Sequence, residues 1–338
     1  MTHYFSTALA ASMLLSAAPY AESQNKAAGA SAGEISDIPR STQWTESAPL
    51  RAMLPLQLSN SLRPQDVISY VAPGVLFPAR NIGLQCQGVN ATLADVPRRM
   101  ATAVTTTGAT EPRFGEVDVD GVRVFRLQTS AVDVLPAGVS PRCELVAYPM
   151  AGSALPQGEN FWLAFSFWAD DWSGTHDEQL IAQMHIQEPQ NILLNPFFAL
   201  VVRGGELRVE LRYNERAVPD KLSTQVVTAA RLAMPVRQWV TAVVQARIAT
   251  QTDKSPFLRM WLNGQLIADY AGPLGYVLPP GGHAYQKVGI YHWLADNPWD
   301  LKVPTRAMLV GAMITVRDTT GRYTYDTLQA NVAKGDRR

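Results

Sequence analysis

The sequence is poor in cysteine and lacks the short motifs that bind metals or phosphate groups. It has two cysteines and five histidines, and the histidines do not show the spacing of metal ligands. No Cys-x-x-Cys, His-Glu-x-x-His or glycine-rich phosphate loop is present. These absences argue against a structural zinc site, a zinc protease and a nucleotide-binding enzyme, and we expect the protein to need no cofactor.

The sequence also lacks an excess of charge of either sign. Lys+Arg and Asp+Glu both total 29, so the formal net charge is zero. Such a protein has no overall field that attracts nucleic acid or an anionic membrane, and local basic groups would have to bind any polyanion. No segment beyond the N-terminus is apolar for long enough to span a bilayer. We therefore expect no nucleic-acid partner and no membrane span. We also expect a monomeric chain.

The N-terminal residues have the composition of a signal peptide. Residues 1–21 are rich in Ala, Leu, Ser and Met, with no acidic residue before Glu22. The stretch 7–18 has the length of a signal-peptide core, although no Lys or Arg precedes it. We predict a signal peptide and a secreted or periplasmic protein; a membrane-anchoring or disordered N-terminus is the alternative. In an exported protein Cys86 and Cys143 suggest one disulfide, the alternative being two unrelated buried thiols.

Short strands dominate the chain from about residue 113 onward. Residues 116–127 alternate in polarity around Asp120-Gly121, and Asp-Gly between alternating runs is a strong hairpin signal. Further strands are predicted at 143–148, 161–168, 180–186, 197–203, 207–213, 239–248, 257–262, 285–292 and 308–317. Many short strands with almost no helix predict an all-β antiparallel sandwich or jelly roll over residues 76–330, after an irregular linker at 22–75.

Two of these strands carry polar pairs on one face. Gln183 and His185 point the same way because alternate residues of a strand share a face. The same alternation places Arg142 beside Glu144. Each pair alone has an ordinary explanation, namely a hydrogen-bonded pair on the solvent side of a sheet or a surface salt bridge that contributes little.

A third strand places aromatic and basic residues on one face and His292 on the other. The residues of the first face are Tyr285, Lys287, Gly289, Tyr291 and Trp293. Gly289 leaves a gap at which a ligand or another backbone could approach closely. This strand could also be half-exposed and merely coated by Tyr and Lys. Together, however, the three strands predict one concave sheet on which aromatic rings stack on sugars and cations attract carboxylates.

In this order, the three stretches resemble the signature strands of β-jelly-roll polysaccharide lyases, the superfamily of alginate, glucuronan and heparin lyase I-like enzymes. Those enzymes carry Arg-Ser-Glu-Leu-Arg, Gln-x-His and Tyr-x-Lys-x-Gly-x-Tyr-x-Gln strands. The corresponding stretches here are Arg142-Cys-Glu144-Leu-Val, Gln183-Met-His185 and Tyr285-Gln-Lys287-Val-Gly289-Ile-Tyr291-His-Trp293. The resemblance covers roughly residues 80–325 and implies a concanavalin-like β-jelly roll. Such folds sometimes bind a structural calcium ion, for which the sequence identifies no ligands.

Two positions depart from the pattern of that superfamily. Val146 stands where the family has a second Arg, and Trp293 stands where it has a final Gln. Both fall on the site face of their strands, so they bear on substrate identity more than on reaction type. A second Arg-x-Glu-x-Arg pattern, at Arg208, Glu210 and Arg212, is out of order in the chain. We interpret it as a charge ladder at the edge of a sheet.

The resemblance implies cleavage of an anionic, uronic-acid polysaccharide by β-elimination. Arg142 and Gln183 would neutralise the substrate carboxylate, which makes the C5 proton removable. His185, whose ordinary pKa is about 6.5, suits the base that removes this proton. Tyr291 suits the acid that protonates the leaving O4, or both roles when proton and leaving group lie on the same side of the ring; nearby cations would favour its phenolate. Glu144, Tyr285, Lys287 and Trp293 would bind substrate.

Two other classes of protein fit parts of the sequence. Glu116, Asp118 and Asp120 alternate on one strand, as the paired carboxylates of a glycoside hydrolase could, although the polar outer face of a hairpin explains them equally well. A non-catalytic, lectin-like binding module fits the aromatic and basic face. Binding alone does not require the Gln-x-His pair together with a correctly ordered tyrosine strand, and this favours the lyase.

Overall fold

The computed structural model describes residues 62–73, 82–87, 89–92, 102–119, 121–135, 139–147, 154–172, 174–187, 194–278, 282–293 and 299–332. The predicted signal peptide, residues 1–21, lies outside these ranges, as does Asp120.

More than half of the described residues lie in strands. The strands of the first half are β1 (Val67–Val71), β2 (Ile82–Cys86), β3 (Val89–Thr92), β4 (Thr102–Val104), β5 (Thr110–Pro112), β6 (Phe114–Val119), β7 (Val122–Ser130), β8 (Arg142–Ala147) and β9 (Asn160–Ala169). Those of the second half are β10 (Gln179–Ile186), β11 (Phe198–Arg203), β12 (Glu206–Asn214), β13 (Gln225–Ala233), β14 (Trp239–Arg247), β15 (Phe257–Leu262), β16 (Gln265–Ala271), β17 (Gly275–Tyr276), β18 (Ala284–His292) and β19 (Thr305–Arg317). Two 3-10 turns (Pro64–Asp66 and Thr252–Lys254) and one helix, α1 (Tyr325–Val332), complete the described elements.

Most of the strands form two large sheets that enclose an apolar core, and β4 pairs with β5 in a separate two-stranded sheet. The front sheet has the order β13-β12-β11-β10-β18-β8-β2-β3, with β17 also paired to β12. The back sheet has the order β16-β15-β14-β9-β19-β7-β6, with β1 also paired to β19. Phe165 and Phe167 of the back sheet belong to the same buried cluster as Met184, Leu200 and Val209 of the front sheet. The predicted all-β sandwich is confirmed.

Two elements at the back of the sandwich were not foreseen. β1 pairs with β19 from Val67 to Val71, inside the segment that was predicted as an irregular linker. The sandwich therefore begins before residue 76, and the predicted boundary is too late. Helix α1 packs Leu328 and Val332 against Trp162 and Ile314 on the outer side of the back sheet. Among the described residues, no helix has the length and apolar character needed to cross a membrane.

The two cysteines form a disulfide, as predicted. Cys86 and Cys143 lie directly opposite each other on β2 and β8, and both are buried in the core. Because strand residues alternate, the neighbours Gln85, Arg142 and Glu144 point to the outer face of the front sheet. The disulfide therefore holds two strands together directly beneath polar residues of the candidate site.

Candidate functional site

The three signature strands lie side by side in the front sheet, in the order β10-β18-β8. Gln183 lies opposite Lys287, and Glu144 lies opposite Gly289. Their neighbours Met184, Val288 and Leu145 belong to the core, so the alternation predicted from the sequence is correct and the polar residues share the outer face. The sheet thus brings the predicted residues into one continuous surface.

Glu144 is the centre of a polar network on this face. It is only 1% exposed, and its Oε1 accepts a hydrogen bond from Nε2 of Gln183. Its Oε2 lies 3.7 Å from Nζ of Lys287 and 4.0 Å from a terminal nitrogen of Arg142. A buried carboxylate is stable only when donors and cations compensate its lost hydration. Glu144 therefore fixes residues from all three strands. The side-chain amide of Gln183 has two N–H donors, and Glu144 accepts a hydrogen bond from one of them.

Gln85 completes this network and was missed from the sequence. Nζ of Lys287 donates a 2.8 Å hydrogen bond to Oε1 of Gln85, which lies opposite Glu144 on β2. No sequence signal identified β2, because Ile82–Cys86 is short and not flanked by a clear turn motif. The residue holds the Lys287 ammonium in place beside the carboxylate.

Arg142 and Tyr291 form a partly exposed pair. They lie directly opposite each other on β8 and β18, with the guanidinium carbon 4.2 Å from the centre of the Tyr291 ring. The Arg142 side chain is 26% exposed, and within the described chain its guanidinium makes no hydrogen bond. A guanidinium with free N–H groups beside a phenol can bind a carboxylate in a bidentate manner.

His185 lies at the other end of the network. It is opposite Tyr285 on β18, with the two ring centres 5.8 Å apart. Its Nδ1 is 2.7 Å from the carbonyl oxygen of Ile186, and its Nε2 is 3.1 Å from that of Leu194. Both ring nitrogens are therefore directed at main-chain acceptors.

The environment of His185 favours the neutral imidazole. Burial lowers the pKa of His185 to about 4, against the opposing effect of the carbonyl contacts. The positive charges of Lys287 and Arg142 also lower this pKa. The ring is thus unprotonated at neutral pH, as a base must be, but with a weak affinity for a proton.

His185 and Tyr291 occupy different positions along the paired strands β10 and β18. His185 pairs with Tyr285, and Tyr291 lies six residues further along β18, opposite Leu180. Arg142 connects the two positions, because its guanidinium carbon lies 4.2 Å from the centre of the Tyr291 ring and its charge lowers the pKa of His185. Arg142, Glu144, Gln183, Lys287 and Tyr291 form the Arg142–Tyr291 group. Nζ of Lys287 also lies 5.6 Å from the centre of the Tyr285 ring, so His185 and Tyr285 border this group.

Gly289 is required by the backbone of β8. A Cβ atom at this position would lie 2.3 Å from the carbonyl oxygen of Cys143 and 2.6 Å from the Cα of Glu144. The gap predicted at this glycine is therefore filled by a neighbouring strand. Close approach of β8 places Glu144 and Arg142 against β18.

Trp293 forms an apolar platform beside Tyr291. Both rings pack against a small cluster on the outer face, made of Leu180, Ala199 and Val201. The guanidinium carbon of Arg212 lies 5.6 Å from the Trp293 ring, and Arg212 itself is 5% exposed. An aromatic ring therefore borders the Arg142–Tyr291 pair.

The second Arg-x-Glu-x-Arg pattern does not lie at a sheet edge. β12 lies between β11 and β13, and Glu210 is opposite Ala199, which is itself opposite Gln183. Arg208, Glu210 and Arg212 thus share the outer face with the site. The edge prediction failed because β13, whose sequence lacks clear alternation, was not recognised as a strand.

Several other residues considered in the sequence analysis lie outside the candidate site. His292 faces inward, as predicted, where it is fully buried beside Gln179 and 3.5 Å from a carboxylate oxygen of Asp177. Asp118 is exposed on edge strand β6 of the back sheet and is paired with Arg123. Across the described part of the chain, no group of three or more His, Cys, Asp or Glu side chains is arranged to hold a metal ion.

Comparisons with known proteins agree with the fold. A sequence profile described as polysaccharide lyase matches residues 113–325. The endo-β-1,4-glucuronan lyase from the fungus Trichoderma reesei has a similar structure, with a TM-score of 0.52, 14% identity, and coverage of 64% of this chain and 88% of that chain. An alginate lyase from Pseudomonas aeruginosa gives a TM-score of 0.45 and 17% identity, over 69% of this chain and 97% of that chain. No curated protein sequence matches the chain.

Replacing Gly289 by alanine should destabilise the front sheet. The added methyl group would collide with backbone atoms of β8, which cannot rotate away as a side chain could. We expect a loss of more than about 2 kcal/mol in the free energy of unfolding, measured by urea denaturation. Gly174→Ala is the matched control, since no atom lies within 4 Å of its added Cβ, and it should change stability by less than about 0.5 kcal/mol. Equal stabilities for the two variants would contradict the close approach of β8.

The depressed pKa of His185 should make stability depend on pH. The unfolded chain binds a proton at His185 near pH 6.5, whereas the folded chain does so only near pH 4. The contribution of neutral His185 to the free energy of unfolding is therefore fully present above pH 6.5 and is lost as the pH falls towards 4. The free energy of unfolding should fall less steeply over this range in His185→Asn than in the unchanged protein. Parallel curves for the two proteins would show that His185 is not desolvated.

Proposed function

The chain belongs to the polysaccharide lyase family, and from this we propose that it cleaves a uronic-acid polymer by β-elimination at the Arg142–Tyr291 pair. The observation that carries this proposal is the open guanidinium of Arg142 facing the Tyr291 ring at 4.2 Å. The glucuronan and alginate lyases with similar folds act on polymers of this class, which supports the same class of substrate here.

Arg142 and Gln183 neutralise the carboxylate of the reacting sugar. Arg142 offers free N–H groups, and Gln183 has one amide donor beyond the hydrogen bond that it makes to Glu144. Donors fixed by the sheet need no reorganisation when charge moves onto the carboxylate during proton removal. Lys287 and Glu144 act by holding these donors in position.

Tyr291 transfers both protons in this proposal. Its phenolate removes the proton from C5, the C4–O4 bond breaks as the C4–C5 double bond forms, and the phenol returns the proton to O4. No water, metal or oxidant is consumed. The two carbonyl contacts of His185 and its pKa of about 4 favour this single-residue route over a separate base at His185.

The single-residue route limits the choice of substrate. One side chain can serve C5 and O4 only when the C5 proton and the C4 oxygen lie on the same side of the ring. Mannuronate and glucuronate have this configuration, whereas guluronate and galacturonate have the opposite one. We therefore expect polymannuronate or glucuronan to be the substrate, rather than polyguluronate or pectate.

The protein is proposed to act outside the cytoplasm. The Cys86–Cys143 disulfide is typical of proteins that fold in an oxidising compartment. Large anionic polysaccharides are themselves found in such compartments or beyond the cell, and the N-terminal composition fits export.

A panel of polymers tests the reaction. Purified protein is incubated with polymannuronate, polyguluronate, alginate, glucuronan, hyaluronan, heparin and pectate, and the ultraviolet absorbance of the unsaturated uronate product is followed. We expect absorbance to rise with polymannuronate or glucuronan. New reducing ends without absorbance would indicate a hydrolase, and retention on a polysaccharide column without either signal would indicate a binding module. Faster turnover of polyguluronate would contradict the single-residue route.

Two variants separate the roles of Tyr291 and His185. Tyr291→Phe should lower kcat by about 10²–10⁴-fold, the usual contribution of general acid–base catalysis, with an unchanged Kd for the polymer. His185→Asn should retain kcat within about tenfold. Tyr270→Phe, which removes a hydroxyl from the back sheet, is the matched control and should behave as the unchanged protein. Loss of turnover in His185→Asn with normal turnover in Tyr291→Phe would reverse the assignment.

A further inference from the structure

An open, basic pocket lies beside the end of the front sheet. It has a volume of about 410 Å³. Its walls come from the loop before β10, the β11–β12 turn and the loop before β19. The lining residues are Gly174, Thr175, His176, Arg203, Gly204, Glu206, Arg208 and Lys302. None of these residues belongs to the Arg142–Tyr291 group.

The pocket lies in line with the reacting pair across the sheet. Tyr291 is opposite Leu180, Leu180 is opposite Val201, and Val201 is opposite Arg208. Three strand spacings of about 4.8 Å therefore separate Tyr291 from Arg208, a path of roughly 14 Å. Leu180 and Val201 form the floor of this path, and Trp293 packs on them. A chain of sugars lying across the strands would pass from one cation to the other over an aromatic ring.

The cations of the pocket retain unused donors. Arg208 bonds Glu206 through Nε, and its two terminal nitrogens make no hydrogen bond within the described chain. Arg203 contacts Glu178 through one terminal nitrogen at 3.0 Å. Lys302 makes no ion pair in the described ranges and is exposed. Free N–H groups in this arrangement are suited to a carboxylate.

Opposing charges near the pocket do not cancel its basic character. Glu206 is shared between Arg208 and Arg231, and Glu178 pairs with Arg203. Asp300 is beside His176, at 2.6 Å. Asp300 also accepts a 3.0 Å hydrogen bond from the main-chain nitrogen of Lys302. Because Glu206 alone serves two arginines, the pocket keeps an excess of positive charge and can accept one further negative charge.

A buried network holds the pocket loops in place. Asp177 binds Arg306 through two hydrogen bonds of 2.7 and 2.9 Å, and both side chains are fully buried. Asp177 also accepts a 2.9 Å hydrogen bond from the main-chain nitrogen of Asp300. The loop that carries His176 and the loop that carries Lys302 are thereby joined to β19. A pocket held in this way is formed before any ligand arrives, so binding costs little ordering entropy.

We propose that this pocket is a distal subsite that binds the carboxylate of a second uronate, several sugars away from the one that reacts. The inference rests on the proposed function, because it takes the polymer to lie across β18, β10, β11 and β12. Arg208 and Lys302 bind the distal carboxylate, and Trp293 supports the sugars between. Substrates too short to reach from Tyr291 to Arg208 gain nothing from the pocket.

The test compares two double variants of equal charge change. Arg208→Gln with Lys302→Gln removes the proposed subsite. Arg259→Gln with Lys254→Gln, on and beside β15 of the back sheet, is the control. Each is placed in a Tyr291→Phe background, and the Kd for polymannuronate and for glucuronan is measured by calorimetry at low and high salt. We expect the subsite variant to raise Kd about tenfold and to weaken the salt dependence, while the control stays within twofold of its parent.

Turnover of substrates of different length provides the second measurement. With Tyr291 intact, the subsite variant should lose about tenfold in kcat/KM on long chains but keep its kcat/KM on the shortest cleaved oligomer. Equal losses at all lengths, or a Kd equal to that of the control, would overturn the subsite. If no polymer is cleaved but the subsite variant still weakens binding, the lyase proposal fails and the subsite stands. If cleavage occurs and the double variant behaves as the control, the subsite alone fails.

Discussion

A single buried carboxylate organises the outer face of the front sheet. Glu144 has lost nearly all contact with solvent, so its charge must be balanced by groups that the sheet supplies. Gln183 and Lys287 do this from β10 and β18, and Arg142 lies nearby on the same strand. The requirement to compensate Glu144 therefore fixes the positions of residues that are proposed to bind the substrate. Loss of this charge would remove one partner from Gln183 and one from Lys287 at the same time.

The alternation of side chains predicted which residues share a face but not where along the strands they meet. It correctly placed Gln183, Lys287 and Tyr291 outside and His292 inside, because this depends only on the period of a strand. The distance from His185 to Tyr291 depends on the register between β10 and β18, which includes a bulge between Leu180 and Ala182. Register comes from pairing across the sheet, so a single strand's sequence does not contain it.

Residues outside the recognised strands could not be predicted in the same way. Gln85 acts through Lys287 from β2, a strand of five residues without a strong pattern. Arg208 was placed at a sheet edge because the neighbouring strand β13 was not identified, although β12, which carries Arg208, was predicted correctly. The basic pocket depends on loops that approach β12 only after folding. The strands and the face of the sheet on which each side chain lies could therefore be predicted from the sequence. The full set of residues in the site could not, because it depends on tertiary contacts.

Formation of the Cys86–Cys143 disulfide is a step that completes the candidate site. The bridge joins β2 to the strand that carries Arg142 and Glu144, and Gln85 is adjacent to one of its two cysteines. Before oxidation, these strands are joined by hydrogen bonds and packing alone. A newly made chain in a reducing compartment would thus hold Arg142 less firmly than the same chain after oxidation. Under the proposed function, polymer cleavage would reach full strength only where disulfides form.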